Sequence, residues 1–156
     1  MNFTHLDSDG RANMVDVGEK SITERTASAK ATLKMKEETL SAILSSELKK
    51  GDALSVSRIA GIMGGKKTSE LIPLCHNIPI DKISISFTDN GKDELYIFSE
   101  AKCSYKTGIE MEALTAVSVA ALTVYDMCKA IDREMVIKEI KLLEKTGGKS
   151  DYKNEG

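Results

Sequence analysis

Four ionisable residues lie at the two ends of an apolar stretch and are of the types that acid-base chemistry uses. Glu110 and Glu112 mark the start of the stretch, and Asp126 and Lys129 lie near its end. Residues 113–124, between them, are almost entirely Ala, Leu, Val and Thr, which predicts a helix buried on every side. Beside such a helix the Asp126–Lys129 pair would be partly buried, and burial allows a lysine to lose its proton near neutral pH. The pair therefore predicts a proton-transfer site.

An ordinary structural interpretation of the same residues stays open. Acidic residues favour the start of a helix, and an aspartate three residues before a lysine forms a common surface ion pair. Glu112 and Asp126 are fourteen residues apart, which is about 21 Å along a helix, so the two ends share a face but not one reaction centre. Two antiparallel copies of the helix, from two subunits, would place the glutamates of one beside the Asp–Lys pair of the other. This spacing predicts an oligomer.

Cys75 and His76 are adjacent residues of the types that bind metal ions. Adjacent residues of an extended segment point in opposite directions, and no second ligand pair is spaced to complete a site, so no metal is expected. His76 is either a structural histidine or a ligand for an anion. Cys75, Cys103 and Cys128 form an odd set without C-x-x-C spacing, which indicates reduced thiols.

Two segments combine glycine with lysine as phosphate-binding loops do. They are residues 64–68 and 147–150, and each lacks the first glycine of the nucleotide-hydrolase loop. A nucleotide hydrolase is therefore excluded. Open backbone amides beside mobile lysines still suit an anionic ligand, and a solvated loop is the alternative.

The elements that position these residues follow the order strand, helix pair, strand, strand, helix, strand. Alternating apolar residues predict strands at 27–35, 78–88 and 135–143, and the Asn90-Gly91 turn predicts a further strand that completes a hairpin. Helical spacing predicts a first helix that ends near Gly51 and a second that is capped by Asp52 and ends at Gly64-Gly65. A long helix is predicted within the stretch 106–130, with Thr107 or Gly108 before its first turn and Lys129 in its last. This order predicts an α+β fold of the ferredoxin-like type, with helices packed on one face of an antiparallel sheet. A second subunit would cover the other face.

The chain of 156 residues is expected to hold one domain. Residues 26–145 form the predicted catalytic domain. An arm at 1–25, either disordered or ordered on contact, precedes it, and a flexible tail at 146–156 follows it.

Composition argues against several classes of partner. The net charge of −2 shows no basic excess, and the chain contains seven aromatic residues and no tryptophan, so no nucleic-acid partner is expected. No apolar run is long enough to suggest a membrane partner, and the N-terminus lacks a signal-peptide core, so the predicted location is the cytoplasm.

Five motifs together resemble the family of cyclic pyranopterin monophosphate synthases, the C proteins of molybdenum cofactor biosynthesis. They span nearly the whole chain in the order of that family. The motifs are MVDVGEK at 14–20, KGDALSVSRIAGI at 50–62, KKTSELIPLCH at 66–76, TGIEMEALTAVSVAALTVYDMCKA at 107–130 and KTGGKS at 145–150. Asn77, Gly64-Gly65 and Asp151 depart from the usual residues of these motifs and touch none of the catalytic positions.

The resemblance implies an activity and an assembly. Members of the family are homohexamers, trimers of dimers of ferredoxin-like subunits, with the active site at the dimer interface. They convert a small-molecule substrate, the 3',8-cyclised dihydro-GTP, to cyclic pyranopterin monophosphate and release pyrophosphate. Acid-base chemistry suffices for this reaction, so no cofactor and no protein-bound metal are expected, although magnesium can accompany the triphosphate.

The resemblance also implies residue roles. Lys50, Asp126 and Lys129 are the expected catalytic residues, with Asp126 positioning Lys129 and Lys50 as the second proton-transfer group. The expected substrate-binding residues are Leu74, Cys75, His76, Glu110, Met111 and Glu112, together with Arg25, Arg58 and Lys67 at the phosphates. The rival hypothesis is a non-catalytic subunit that uses the same pocket to hold a nucleotide or a pterin as a signal.

Overall fold

The computed structural model describes residues 3–155 and confirms the predicted α+β fold. The elements are β1 (Thr23–Lys34), α1 (Glu37–Leu44), α2 (Ala53–Lys66), α3 (Thr68–Leu71), β2 (Ile80–Asp89), β3 (Glu94–Tyr105), α4 (Glu110–Cys128), β4 (Val136–Thr146) and β5 (Tyr152–Lys153). The strands form one antiparallel sheet in the order β2-β3-β1-β4-β5. The first four strands of this order have the ferredoxin-like arrangement that the element pattern predicts.

The core lies between the sheet and α4, and strand periodicity decides which residues form it. In β1, Ala29, Ala31 and Leu33 are fully buried, and in β3, Leu95 and Ile97 are fully buried in the same way. Alternate residues of a strand point to opposite faces, so these side chains all face the helices. Most of the facing residues in β1 and α4 are small, which allows the helix to pack closely across the two central strands.

The opposite face of the sheet is polar. Lys30 lies 4.5 Å from the ring centroid of Tyr96, and Lys138 pairs with Glu94. A polar sheet face of this kind can remain in contact with water. The prediction that a second subunit covers it therefore stays a prediction.

The sequence predicted that α4 is buried on every side, and this prediction is wrong. Leu122 is 59% exposed and Asp126 is also exposed. The sheet covers one side of the helix and α2 a second, while the side that carries these two residues is left open by the described residues. Within residues 3–155, α4 is the one helix long and apolar enough to suit a membrane span. Its contacts with the sheet and α2 make it a core helix of this domain.

The predicted cap of α4 is also wrong. The helix begins at Glu110, its N-cap residue is Ile109, and no side chain among the described residues caps it. The Thr107 hydroxyl is buried and has no hydrogen-bond partner among the described residues. Lys129 follows the helix as its C-cap residue.

α2 begins as predicted and ends later than predicted. The Asp52 carboxylate accepts hydrogen bonds from the amides of Leu54 and Ser55, both at 3.1 Å. The helix then continues through Gly64 and Gly65 to Lys66, so the predicted end is wrong. A Cβ atom at Gly64 would lie 2.6 Å from Cγ2 of Val119, which shows that the glycine allows α2 and α4 to touch. Gly64 thus serves a tertiary contact between two helices and does not end α2.

α1 ends earlier than predicted, at Leu44. Ser45 is its C-cap residue, the Ser45 hydroxyl donates to the Ser41 carbonyl at 2.8 Å, and Ser46 has a positive φ of 59°. The Asn90-Gly91 turn between β2 and β3 is confirmed: the Asn90 side chain accepts from the amides of Lys92, Asp93 and Glu94.

The segments that flank the domain carry local structure. In the arm, Leu6 pairs with Ala12 in an isolated bridge, and in the tail β5 pairs with β4. β1 begins at Thr23, inside the range assigned to the arm. The division into an arm, a domain and a tail stays a prediction, and residues 1, 2 and 156 lie outside the described residues.

Candidate active site

Three predicted catalytic residues meet at the C-terminal end of α4. Lys129 Nζ lies 2.8 Å from Asp126 Oδ1, and Lys50 Nζ lies 3.4 Å from Asp126 Oδ2 and 3.1 Å from the Asp126 carbonyl oxygen. Lys50 comes from the turn before α2, which packs along α4 and so brings the turn to the end of that helix. One carboxylate thus holds two ammonium groups, and we name these residues the Lys–Asp–Lys cluster.

The cluster is more exposed than the sequence predicted. The side chains of Asp126 and Lys129 are 58% and 52% exposed, so the partial burial expected from an all-apolar helix is wrong for a single chain. The hydrogen bond and the charge of Lys129, followed by the charge of Lys50, hold the pKa of Asp126 below its ordinary value. Asp126 is therefore an anion at neutral pH, as a residue that positions two lysines must be.

A cavity of about 530 Å³ lies at the opposite end of α4. The first turn of α4, the segment between α3 and β2, the arm, β1 and the residues after β4 all contribute to its wall. Seven of the predicted substrate-binding residues line it: Arg25, Leu74, Cys75, His76, Glu110, Met111 and Glu112.

Glu112 is the most unusual group of this cavity. The residue is only 4% exposed, and its Oε2 has no hydrogen-bond partner among the described residues. Burial, with the charge of Glu110 as a smaller cause, raises the pKa of Glu112 to about 7. A buried polar atom without a partner is costly, so a cavity that keeps one is suited to a ligand that donates hydrogen bonds to it.

Glu110 and Cys75 extend the acidic side of the cavity. Lys145 Nζ lies 3.5 Å from Glu110 Oε1, while Glu110 Oε2 has no partner within residues 3–155. Burial and the charges of Glu112 and Glu110 raise the pKa of Cys75, which keeps it a thiol at neutral pH. The thiol is thus a poor nucleophile here and serves as a wall of the cavity.

His76 connects the cavity to the arm. Its Nε2 lies 2.6 Å from the carbonyl oxygen of Val15. A carbonyl only accepts hydrogen bonds, so Nε2 carries the proton and donates it, and Nδ1 remains for other contacts. His76 therefore anchors residues of the arm over the cavity.

Comparison with known proteins identifies the family. The family model described as the MoaC family matches residues 14–148. The chain belongs to the MoaC family.

Relatives of this MoaC chain cover almost its whole length. One, from Peptoclostridium acidaminophilum, is 58% identical over 156 residues, which are 99% of each chain. A second, from Listeria monocytogenes serotype 4a (strain HCC23), is 58% identical over 149 residues, 96% of this chain and 93% of the relative. Both are named cyclic pyranopterin monophosphate synthase. The resemblance drawn from the five motifs is confirmed.

The basic residues assigned to the phosphates fall in different places in this MoaC chain. Arg25 lines the cavity, but its Nε and Nη2 donate to the carbonyl oxygens of Tyr105 and Lys106 at 3.2 and 3.1 Å. Arg58 donates to the Ile85 carbonyl at 3.3 Å and does not line the cavity, and Lys67 is exposed at the end of α2, also outside its wall. The phosphate roles of Arg58 and Lys67 stay predictions.

Three lysines outside the predicted site residues line the cavity of this MoaC chain: Lys20, Lys145 and Lys149. All three lie within the motifs MVDVGEK and KTGGKS. The sequence analysis expected the segment that contains Lys149 to suit an anion, and it attached no role to Lys20 or Lys145. Among the described residues, no group of three or more His, Cys, Asp or Glu side chains is placed to hold a metal ion.

The pKa of Glu112 predicts a pH-dependent stability of this MoaC chain. The pKa of Glu112 is 4.5 in the unfolded chain and about 7 in the folded chain. Between these two pH values the unfolded chain loses the carboxyl proton of Glu112 while the folded chain keeps it. Raising the pH therefore favours unfolding, and the free energy of unfolding should fall by about 3 kcal/mol over this range because of this one group. Glu112→Gln removes the titration, so urea unfolding of both proteins at pH 5 and pH 7.5 should show the fall only in the wild type. An equal pH dependence in the two proteins would contradict the burial of this carboxyl.

Proposed function

We propose that this chain is a cyclic pyranopterin monophosphate synthase of molybdenum cofactor biosynthesis. It is a lyase that converts 3',8-cyclised dihydro-GTP to cyclic pyranopterin monophosphate and pyrophosphate. One observation carries the proposal. α4 has a Lys–Asp–Lys cluster at one end and, at the other, a cavity with a buried carboxyl whose Oε2 has no partner in the described part of the chain. This arrangement occurs in a chain 58% identical to named synthases over nearly its whole length.

The cavity suits the guanine-derived ring of this substrate. The ring presents adjacent N–H groups, and two such donors can bind the two oxygens of one carboxylate. Glu112 offers a carboxyl that is already desolvated, and its Oε2 has no hydrogen-bond partner within residues 3–155. Binding of the ring favours the ionised carboxylate, so binding should release a proton near neutral pH.

The Lys–Asp–Lys cluster supplies the proton transfers. Opening the imidazole-derived ring and closing the pterin ring require protons to be delivered to ring nitrogens and removed from water and from a sugar hydroxyl. Asp126 pairs with both Lys50 and Lys129, so the two nitrogens are held on one carboxylate and can exchange protons with the bound substrate. The sugar hydroxyl then attacks the α-phosphorus and loses its proton to the cluster. The bond from the α-phosphorus to the bridging oxygen breaks, and pyrophosphate leaves.

The site is completed by a second copy of the chain. Glu112 and Asp126 lie about 21 Å apart along α4, which is too far for one reacting ring to contact both in one chain. An antiparallel neighbour would bring its own cluster to this cavity. The outer surface of α2 and α4 supports such an association, because Val56, Ile59, Met63 and Leu122 are large, apolar and exposed on it.

The remaining features of the proposal follow from the resemblance. The assembly is a homohexamer, a trimer of such dimers, and it acts in the cytoplasm. Its reaction requires no redox cofactor, since no electrons are gained or lost between substrate and products. Magnesium can enter with the triphosphate, where it would neutralise the leaving pyrophosphate.

Incubation of the purified protein with 3',8-cyclised dihydro-GTP tests this proposal. Cyclic pyranopterin monophosphate and pyrophosphate should form in equal amounts without nicotinamide, flavin or an iron–sulfur cluster. GTP is the matched control and should remain unchanged, because it lacks the carbon–carbon bond between sugar and base and proton transfer cannot make it. Product formation from GTP alone, or a strict need for a redox cofactor, would overturn the proposal.

A further inference from the structure

We propose that Asp132 is a positioning residue for the reaction, because its buried carboxylate fastens the segment that carries Lys129 to the start of α1. This role rests on the proposed function, which assigns the proton transfers to the Lys–Asp–Lys cluster. Asp132 lies three residues after Lys129 and does not line the cavity. It is only 2% exposed, so it acts through the residues that it holds and not on the substrate.

The Asp132 carboxylate accepts three hydrogen bonds. Its Oδ2 accepts from the Lys36 amide at 2.9 Å and from the Thr39 hydroxyl at 3.0 Å, and its Oδ1 accepts from the Glu134 amide at 3.1 Å. Burial opposes the ionised form, yet these hydrogen bonds hold the pKa of Asp132 below its ordinary value. Loss of any of them would leave a buried charge incompletely satisfied, so the carboxylate is held in place. We name its contacts with Lys36 and Thr39 the Asp132 anchor.

α1 receives its N-terminal cap from this anchor. The N-cap residue of the helix is Lys36, whose own side chain makes no capping hydrogen bond. Asp132, ninety-six positions later, supplies an acceptor for the Lys36 amide and places a negative charge at the positive end of the helix dipole. α1 has only eight residues, a length at which a helix depends on tertiary contacts. The anchor therefore helps to fix α1, and the chain runs from α1 into the turn that carries Lys50.

The other end of the anchor is the last turn of α4. The Lys129 amide donates to the Tyr125 carbonyl at 2.8 Å, and the Asp132 amide donates to the Cys128 carbonyl at 3.0 Å. The Tyr125 hydroxyl donates to the Arg133 carbonyl at 3.0 Å, just after Asp132. Helix ends fray, and here the residues that follow the helix are tied down on both sides. The backbone of Lys129 thus keeps a fixed place at the end of α4.

The exposure of the cluster gives the anchor its importance. The side chains of Asp126 and Lys129 are 58% and 52% exposed, so packing does not hold them. Exposed ion pairs contribute little stability on their own. The places of Lys50 and Lys129 therefore depend on the two backbone segments from which they project, and Asp132 joins those segments. A displacement of about 1 Å at a reacting group can lower a rate by about a hundredfold.

Asp132→Asn tests the anchor. The side-chain amide keeps the size of the carboxylate but turns an NH2 group toward the Lys36 amide or the Glu134 amide, both of which are donors. We expect kcat to fall about tenfold and KM to change less than about twofold, because the cluster is displaced and the cavity is not. Ile97→Val is the control for a loss of stability alone, since it removes one buried methyl group from the core of β3. It should keep the wild-type kcat.

A second pair of variants changes only the hydroxyl that donates to Asp132. Thr39→Val keeps the shape of this fully buried side chain and removes the hydroxyl, whereas Thr39→Ser keeps the hydroxyl. The valine variant should lower kcat about threefold, and the serine variant should retain most of the wild-type kcat. Thr32→Val is the matched control, because Thr32 is also buried and its hydroxyl has no hydrogen-bond partner among the described residues. It should behave as the wild type.

Two results would overturn the positioning role. One is a wild-type kcat in Asp132→Asn. The other is an equal fall of kcat in Asp132→Asn and in Ile97→Val at an equal loss of stability, which would show that instability and not position lowers the rate. If Asp132→Asn does not fold, the Thr39 variants decide the question: a wild-type kcat in Thr39→Val refutes the role, and a fall that Thr39→Ser avoids supports it.

Amide hydrogen exchange separates this role from the proposed function. The amides of Lys129, Ile131 and Asp132 donate to carbonyls of the last turn of α4. They should exchange about tenfold faster in Asp132→Asn than in the wild type, because the anchor no longer holds the segment. If the wild-type protein fails to convert the cyclised substrate, the proposed function is wrong, and exchange then decides the anchor by itself. Faster exchange of these three amides supports it, and unchanged exchange refutes it.

Discussion

Lys129→Met should lower turnover by about a hundredfold or more while substrate affinity changes only a few-fold. Methionine retains much of the length of the side chain and removes the group that transfers the proton. Lys50 continues to pair with Asp126 in this variant, so the cluster keeps a charge balance. The cavity that binds the ring lies at the other end of α4 and is unchanged. Single-turnover rates and equilibrium binding of the cyclised substrate measure the two effects separately.

Lys129→Arg is the matched variant. Arginine keeps the positive charge and the ion pair with Asp126, yet it does not release its proton at accessible pH. Turnover should therefore fall almost as far as in Lys129→Met. Full activity of the arginine variant would show that Lys129 acts only as a charge. Activity of the methionine variant near the wild-type level would remove Lys129 from the chemistry and favour the rival hypothesis of a subunit that only binds its ligand.

Local signals in the sequence predicted most of the fold. The alternation of β1, the Asn90-Gly91 turn and the Asp52 cap are decided by residues within a few positions of each other, and each is confirmed. The predicted end of α2 was wrong because Gly64 makes room for Val119, fifty-five residues later in the chain, and does not end the helix. A contact of that kind leaves no local pattern.

The site was predictable to the extent that its residues are neighbours in sequence or belong to recognised motifs. The spacing of Asp126 and Lys129 predicted their pairing, and the family motif supplied Lys50 as the third member. The exposure of this cluster was not predictable, because an apolar helix sequence does not reveal which of its sides the fold leaves open. The convergence of Lys20 and Lys149 depends on the arm and the loop after β4 meeting at one cavity, which only the tertiary structure shows.

We propose that one active site is built from two chains, from the cavity of one and the Lys–Asp–Lys cluster of the other. Glu112→Ala disables the cavity, and Asp126→Ala disables the cluster, so each variant alone should be inactive. In a hybrid dimer of the two, one composite site carries both changes and the other carries neither. After equal mixing with random exchange of subunits, about one quarter of all sites should be intact.

Complementation between these variants is the measurement that tests the claim most directly. Mixed Glu112→Ala and Asp126→Ala subunits, exchanged and verified as hybrids by native mass spectrometry, should recover about one quarter of wild-type turnover. Mixed Asp126→Ala and Lys129→Met subunits are the control and should recover none, because every cluster in them is damaged. Verified hybrids of the first pair that remain inactive would contradict the shared site.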